Sequence, residues 1–548
     1  MATITSAGVG SGLDIEGIIS SLVAAEKIPL NKVSEERTKI NTKVSIYGVI
    51  KNSFAGLQTA ADKLKSLSNL NPLKVTSSSD SAVSGTASSS AAKGTYSVEV
   101  SQLAKAQSVV ASSVTNSDTT IGTGSLTFTL GSYASGTNTF TANASKTPVT
   151  ISIGTGQQTL SGIKEAINNA NAGVSASIVN DGTGSRLVLT SKDTGLENGF
   201  KLEVADADGT NTNTSGLSML AYDPTATAGA GKNATSLQAA QNANFTINGL
   251  AVTKTSNTVT DAVEGLTLNL KTVTTSAVTV GVSLDDTTLK STLNSFVSAY
   301  NQIRGNLKDQ QEKDATLSKE TVPSTLERGL RNILRDSVSA YGLSLNDVGL
   351  SFDKTGVLSL NTTTLDTKIA SDPAVLGKLF SNTATATDAR VKYLGSTSAT
   401  LEGTYAINVT TAASTGVNVA GTINGVAGTG TDNILTGATG DATEGLQFSV
   451  VSGESGALGN ITYSKGLASR LSEWINTLNE DGGMLASRTE GLNKRISRLD
   501  DEEDRINLRV EQVEKRYRAQ FTALDTMLSS MKQTSAYLTQ QLAALSSS

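Results

Sequence analysis

From residue 492 to residue 545, apolar side chains return at alternating steps of four and three: Leu492, Ile496, Leu499, Ile506, Val510, Val513, Tyr517, Leu524, Met527, Met531, Leu538 and Leu545. Polar Glu503, Gln520, Thr534 and Gln541 fill the remaining places of the register. No Pro and, after Gly491, no Gly interrupts the run. This repeat outlasts an ordinary surface helix and predicts one long helix in a coiled-coil register. Asp501 with Arg505, Glu511 with Lys515 and Glu514 with Arg518 stand at i,i+4, acid first, the better order for the helix. Beyond about 519 charges thin to Asp525 and Lys532, while Leu524, Leu528, Met531, Leu538, Leu542 and Leu545 carry the stripe onward. An oily face with little charge behind it is expected to lie among other helices.

The opposite end has the same character. Asp14 is a good N-cap, with Glu16 and Glu26 on the first helix it opens, and Ile15, Ile19 and Leu22 form a stripe. Pro29 interrupts or restarts the helix. A second stripe runs Val33, Ile40, Val44, Tyr47, Phe54, Leu57, Ala61, Leu64, and Pro72 marks its stop. Helical spacing returns at Leu289, Leu293, Phe296, Val297, Tyr300, Ile303, Leu307, and again at Leu326, Leu330, Ile333, Leu334. A strand pair is expected near 350–352 and 357–360, joined by Asp353-Lys354-Thr355-Gly356.

The stretch from about 75 to 284 is sparsely charged and alternates apolar with polar residues at 96–100 (YSVEV), 125–130 (SLTFTL), 149–153 (VTISI) and 186–190 (RLVLT), as half-buried strands do. Asp181-Gly182 is a hairpin signal, and 160–170 (LSGIKEAINNA) is the convincing helix of this region. An internal repeat stands out. GTYSVEV at 94–100 is echoed by GTYAINV at 403–409. Ile247-Asn248-Gly249 followed by EGLTL at 264–268 is echoed by Ile423-Asn424-Gly425 followed by EGLQF at 444–448. The economical reading is one small β-domain used twice, the first copy hosting an insertion.

Composition narrows the chemistry. The 548 residues call for several domains, and the net charge of −5 gives no footprint for nucleic acid. With neither Cys nor His, thiolate and imidazole chemistry is excluded, and with it most zinc sites and Ser-His triads. A chain without thiols also has nothing to mispair when it crosses compartments unfolded. The opening MATITSAGVGSGLDIEGII does not read as a secretory signal peptide, and no window is apolar enough for a membrane span. Gly8-x-Gly10-x-Gly12 lacks the dinucleotide-loop spacing. Asp206-Ala207-Asp208-Gly209 resembles a calcium loop, but its Gly comes early and Leu217 stands where the bidentate acid belongs. Asp285-Asp286 reads as a helix cap and the acidic run 500–504 as a solvated face. No catalytic residue set, cofactor site or metal site is expected.

The segment 11–32 (SGLDIEGIISSLVAAEKIPLNK) closely resembles the N-terminal signature of flagellar filament cap proteins, the flagellar hook-associated protein 2 family. Residues 160–195 look like the flagellin/hook IN motif found there, and 94–104 are also typical. The extra repeat at 388–465 departs from the shorter members. The resemblance implies a secreted structural protein, not an enzyme, exported unfolded through the flagellar type III apparatus to the filament tip. It implies a ring of copies of itself, pentameric or near that, and contacts with flagellin, hook–filament junction proteins and an export chaperone.

The fold expected is α+β multidomain: a helical coiled-coil stem from both termini plus central helices, with small β-rich head domains inserted. Residues 1–40 with 505–548 form a leg, and 41–77 with 285–387 and 466–504 a helical stem. Residues 78–110 with 240–284 form a β-rich head, 111–239 an inserted β-rich domain with the IN-type motif, and 388–465 an extra domain repeating the head. Filament or partner contact is expected from Ile15, Ile19, Leu22, Leu524, Leu528, Met531, Leu538, Leu542 and Leu545. The alternative is a β-rich surface adhesin on a coiled-coil stalk, binding host glycans.

Overall fold

The computed structural model describes residues 14–336, 338 and 341–546, with side chains as far as 543. It is mixed helix and strand, and its contacts divide it into two units: Met1–Leu70 with Lys290–Ser548, and Asn71–Leu289.

In the first unit, helix Ile15–Glu26 gives way at Lys27 to helix Ile28–Lys65, with Pro29 in the latter's first turn, where a missing N–H costs nothing. The Asp14 carboxylate accepts from the Gly17 N–H at 2.9 Å, as expected of the cap. Along the long helix Val33, Ile40, Tyr47, Phe54, Leu57, Ala61 and Leu64 are buried, joined by Ile50, which the stripe had omitted. Helix Leu467–Asn479, with Leu471 and Ile475 buried, lies against both this helix and Val322–Arg335, whose Leu326, Leu330 and Leu334 are buried. In helix Asp286–Asp309, Leu293, Phe296, Tyr300, Ile303 and Leu307 are buried, and Asn306 Nδ2 donates to Ser53 Oγ at 2.7 Å. Trp474, the chain's one tryptophan, meets Phe54 edge-on at 5.6 Å. Gly329 makes room for that indole: a Cβ there would lie 2.6 Å from its ring. The hairpin Leu350–Phe352 with Leu358–Leu360 forms as expected, its turn closed by the Asp353 carboxylate accepting from Thr355 and Val357 N–H.

The second unit opens with a five-stranded antiparallel sheet in the order Leu73–Ser77, Val278–Leu284, Gly94–Gln102, Ala243–Ile247, Leu250–Lys254. Residues 73–77, grouped with the stem at the sequence level, are therefore a strand here. Their alternating burial suits a sheet face, not a helix. A second sheet orders Thr258–Val263, Leu266–Leu270 and Val83–Ala87. Between the two halves, Gly124–Ala134, Val149–Ile153, Gly199–Asp206 and their neighbours enclose helix Leu160–Asn169, whose Leu160, Ile163 and Ile167 are buried in one cluster with Phe128, Phe200 and Leu189. Val174–Asn180 and Ser185–Ser191 pair across the Asp181-Gly182 turn.

The sequence repeat has a structural counterpart. In the first unit, Thr383–Ala386, Gly456–Ser464, Gly403–Thr411, Ala420–Ile423 and Val426–Ala427 follow the same strand order as the five-stranded sheet just described. Val391–Gly395, Gln447–Val450 and Ile434–Thr436 stand as Val83–Ala87, Leu266–Leu270 and Thr258–Val263 do. Even the details agree. Asn248 and Asn424 take φ of 50° and 52°, each followed by Gly at 84°, the left-handed pair that a two-residue hairpin needs. Tyr96 and Tyr405 each donate a hydroxyl to the carbonyl four residues back, Ala92 and Leu401.

Candidate assembly surface

The C-terminal helix, Met484–Ser546, is 63 residues long, about 95 Å at 1.5 Å per residue. Two of its features matter: what covers its first half, and what leaves its second half bare.

The first half lies against the N-terminal helices. Leu485, Leu492, Val510 and Val513 are buried. Ile15, Ile19 and Val23 form a cluster with Val510, and Ile506, Tyr517 and Phe521 pack against it. Ion pairs flank the seam: Glu36 with Arg495 at 2.5 Å, Arg37 with Asp500 and Glu503 at 3.1 and 3.0 Å, Glu26 with Arg509 at 3.0 Å, and Glu16 with Arg518 at 2.6 Å. Partner numbers rise on one helix as they fall on the other, so the two run antiparallel. Such exposed pairs contribute about 0–1 kcal/mol each and mainly fix register. Asp500 and Glu503, read as a solvated face, are thus turned toward Arg37. After Tyr517 the seam passes to Phe521, where the heptad register had placed Gln520.

The second half is uncovered among the described residues. Leu524, Met527, Met531, Leu538 and Leu542 are all exposed, Leu538 at 54% and Leu542 at 66%, and Leu528 is half-buried. At 100° per residue these six fall within about 100° of arc, on the same face as Ile506, Val510, Val513 and Tyr517. One straight stripe is thus covered by the chain's own N-terminus over its first part and open over its second. Of the residues expected to make partner contacts, Ile15 (1% exposed) and Ile19 are spent on this intramolecular seam, and Leu22 is half-buried beside it. Leu524, Leu528, Met531, Leu538 and Leu542 lie on the open stretch, and the side chain of Leu545 lies outside the described residues. Met527, exposed on the same face, was in the heptad register but not among the contact residues.

Beneath the seam sits a polar knot. Glu320, its side chain 8% exposed, accepts from Lys43 at 2.8 Å, from Tyr47 at 2.7 Å, and from Arg488 at 2.6 and 2.8 Å. Burial opposes ionisation of this carboxyl, yet hydrogen bonds from Arg488, Lys43 and Tyr47 outweigh it and hold its pKa down to about 2. The Tyr47 hydroxyl is driven the other way, first by burial and then by Glu320. Each Glu320 oxygen accepts two of these bonds, Oε1 from Lys43 and Arg488 and Oε2 from Tyr47 and Arg488, so the carboxylate serves as a structural clasp.

The other chemical candidates resolve similarly. Asp285 accepts from the Thr288 N–H at 3.2 Å, as a cap. The calcium-like loop is filled from within: Asn233 Nδ2 donates to the carbonyls of Thr212, Asn213 and Ser218 at 3.1, 2.6 and 2.8 Å. Asp206 accepts from the Ser218 N–H at 2.9 Å. Gly8-x-Gly10-x-Gly12 lies outside the described residues. Among the described residues no group of three acids assembles as a metal site, and no helix is long and apolar enough to cross a membrane.

Comparison with known proteins gives this arrangement relatives. Residues 11–107 match the flagellar hook-associated protein 2 N-terminus, 240–533 its C-terminus, and 135–193 the flagellin hook IN motif. Flagellar hook-associated protein 2 of Escherichia coli (strain K12) is 32% identical, the alignment covering 99% of this chain and 98% of that protein. The A-type protein of Pseudomonas aeruginosa is 29% identical over 98% of this chain and 97% of its own. Among solved structures, the D1-D2-D3 domains of the Escherichia coli flagellar cap protein match with a TM-score of 0.56 at 25% identity, covering 82% of this chain and 99% of that one. With one C-terminal profile spanning more than half its length and a relative this similar end to end, the chain belongs to the flagellar hook-associated protein 2 family.

Proposed function

We propose that the chain caps the distal tip of a bacterial flagellar filament, keeping flagellin from escaping and helping it fold and insert. It is a structural protein, not an enzyme. The observation that carries the reading is the open half of the C-terminal stripe: six apolar side chains on one face, continuous with a face that the same chain already covers higher up. An apolar stripe on a preformed helix fits a helical partner. In this reading Ile15, Ile19 and Leu22 fix the two ends together as a coiled-coil stem. Leu524, Leu528, Met531, Leu538, Leu542 and Leu545 then meet flagellin or the next copy in a ring, pentameric or near that. Secretion through the type III apparatus, an export chaperone on the oily tail, and contact with hook–filament junction proteins complete the proposal. A chain without Cys or His suits it. The adhesin alternative is not supported, since the relatives are flagellar hook-associated and cap proteins.

The test is removal of residues 522–548, which leaves the Phe521 seam intact, in a flagellated cell lacking the full-length protein. The truncated chain should fold, yet filaments should stay short and flagellin should collect in the medium, also when the purified truncated chain is supplied from outside. Normal filaments from that strain would end the proposal.

A further inference from the structure

The chain contains three Asn-Gly pairs, Asn198-Gly199, Asn248-Gly249 and Asn424-Gly425. Asn-Gly is chemically vulnerable because glycine, lacking a Cβ, lets its backbone nitrogen approach the preceding side-chain amide. The three sites differ in how firmly that amide is held. Asn198 is held at both ends: its Oδ1 accepts from Lys146 Nζ at 3.1 Å and its Nδ2 donates to the Thr194 carbonyl at 2.7 Å. Asn248 is held at one end, its Oδ1 accepting from the Ser97 N–H at 2.8 Å. Asn424 occupies the same turn in the repeated domain, with the same backbone: φ 52° then 84°, against 50° then 84°. Its own N–H donates to the Ala406 carbonyl at 2.7 Å, as Asn248 N–H does to Ser97 at 2.8 Å. Its side-chain amide, however, makes no hydrogen bond among the described residues, and the residue is exposed at the hairpin tip.

We propose that Asn424 is a site of spontaneous deamidation, and that the Ser97 N–H suppresses the same reaction at Asn248. The Gly425 nitrogen, giving its proton to solvent base, attacks Cγ of Asn424. The bond from Cγ to the amide nitrogen breaks and that nitrogen leaves as ammonia. Water then opens the cyclic imide at either carbonyl, leaving aspartate or isoaspartate. Water is consumed, ammonia released, and nothing is oxidised or reduced. Either product places a new negative charge beside the edge strand Val426–Ala427, and isoaspartate also lengthens the backbone of a two-residue turn that has no slack. Because the two turns share one backbone geometry, the chain carries its own control: the rate difference isolates the side-chain hydrogen bond.

The experiment is to incubate the full chain in mildly alkaline buffer, digest it at intervals, and measure deamidated peptide at each site by mass spectrometry, with a parallel sample unfolded in urea. In the folded chain Asn424 should react about fivefold faster than Asn248, the weight of one ordinary hydrogen bond, and Asn198 slowest. In urea the three rates should converge. Equal rates at Asn424 and Asn248 in the folded chain, or a ranking that persists unchanged in urea, would overturn the proposal.

Discussion

Replacing Glu320 by Gln keeps the shape of the side chain and removes its charge, which leaves Lys43 and Arg488 on either side of a neutral group that is itself only 8% exposed. In the native chain a carboxyl that ionises near 4.5 when free is held at about 2. By linkage that difference is about 3 kcal/mol of stability at neutral pH. Lys43 and Arg488 keep 30% and 40% of their side-chain surface in solvent and can swing partly clear. The expected loss for E320Q is therefore about 2–3 kcal/mol, short of the 3–5 seen when a fully buried pair is broken. Trp474, the sole tryptophan, sits in the same helical unit against Phe54, so urea unfolding followed by its fluorescence reports this unit and not the second one. At about 2 kcal/mol per molar urea, the midpoint should fall by about 1 M. The pH dependence is the sharper check. A carboxyl with a lowered folded pKa stabilises fully above its unfolded value and loses that contribution as pH falls toward its folded value. The gap between wild type and E320Q should hold steady down to about pH 5, narrow below 4.5 and close near 2. Equal midpoints at neutral pH, or a gap that persists in strong acid, would refute the account of this knot.

Three further outcomes follow from the same geometry. Gly329→Ala puts a Cβ within 2.6 Å of the Trp474 ring, so it should cost about 1–3 kcal/mol by overpacking, seen as a shifted tryptophan emission and a lower midpoint. Tyr405→Phe removes a buried hydroxyl that donates to the Leu401 carbonyl at 2.8 Å and should cost about 1 kcal/mol, while Tyr96→Phe, whose bond is 3.2 Å and more exposed, should cost less; thermal unfolding of both variants checks the order. Leu538→Asp together with Leu542→Asp should leave the circular dichroism and melting of the chain unchanged, because neither side chain packs on it, yet abolish capping as judged by flagellin in the medium.

Much of the helical framework was legible because its signals are local. A cap such as Asp14, a stripe such as Val33 to Leu64, and a turn such as 353–356 are each settled within a few residues. The repeat was legible for a different reason: an Asn-Gly turn and the Gly-Thr-Tyr opening of a strand each require particular residues, so two copies of one sheet keep the same letters. What stayed hidden depends on distant partners. Residues 73–77 belong to the β-sheet because 278–284 pair with them, a partner far along the chain that the stop at Pro72 does not reveal. Glu320 gave no local sign of its role, since Lys43 and Arg488 lie far from it in sequence. The stripe at the C-terminus was visible, but not its division: only the pairing with Ile15, Ile19 and Val23 shows that the first part is covered and the second open.

That division explains how one helix can be both held and available. Starting a helix in water is unfavourable, and extending one is nearly neutral. The covered segment from Leu485 to Phe521, with its buried leucines and valines and its flanking ion pairs, supplies the start. Residues 522–546 are then an extension that needs no nucleus of its own. A partner meeting Leu524, Met527, Leu528, Met531, Leu538 and Leu542 on such an extension does not bear the backbone ordering of about 1–2 kcal/mol per residue that a disordered tail would impose. Each fully covered leucine contributes about 1.5–3 kcal/mol, so even partial burial of six such side chains leaves a useful margin for association. The seam, and not the tail alone, then sets the affinity. Weakening it with Ile19→Ala and Val510→Ala should weaken assembly even though neither residue touches the partner, and unchanged assembly in that double variant would show that the tail orders itself.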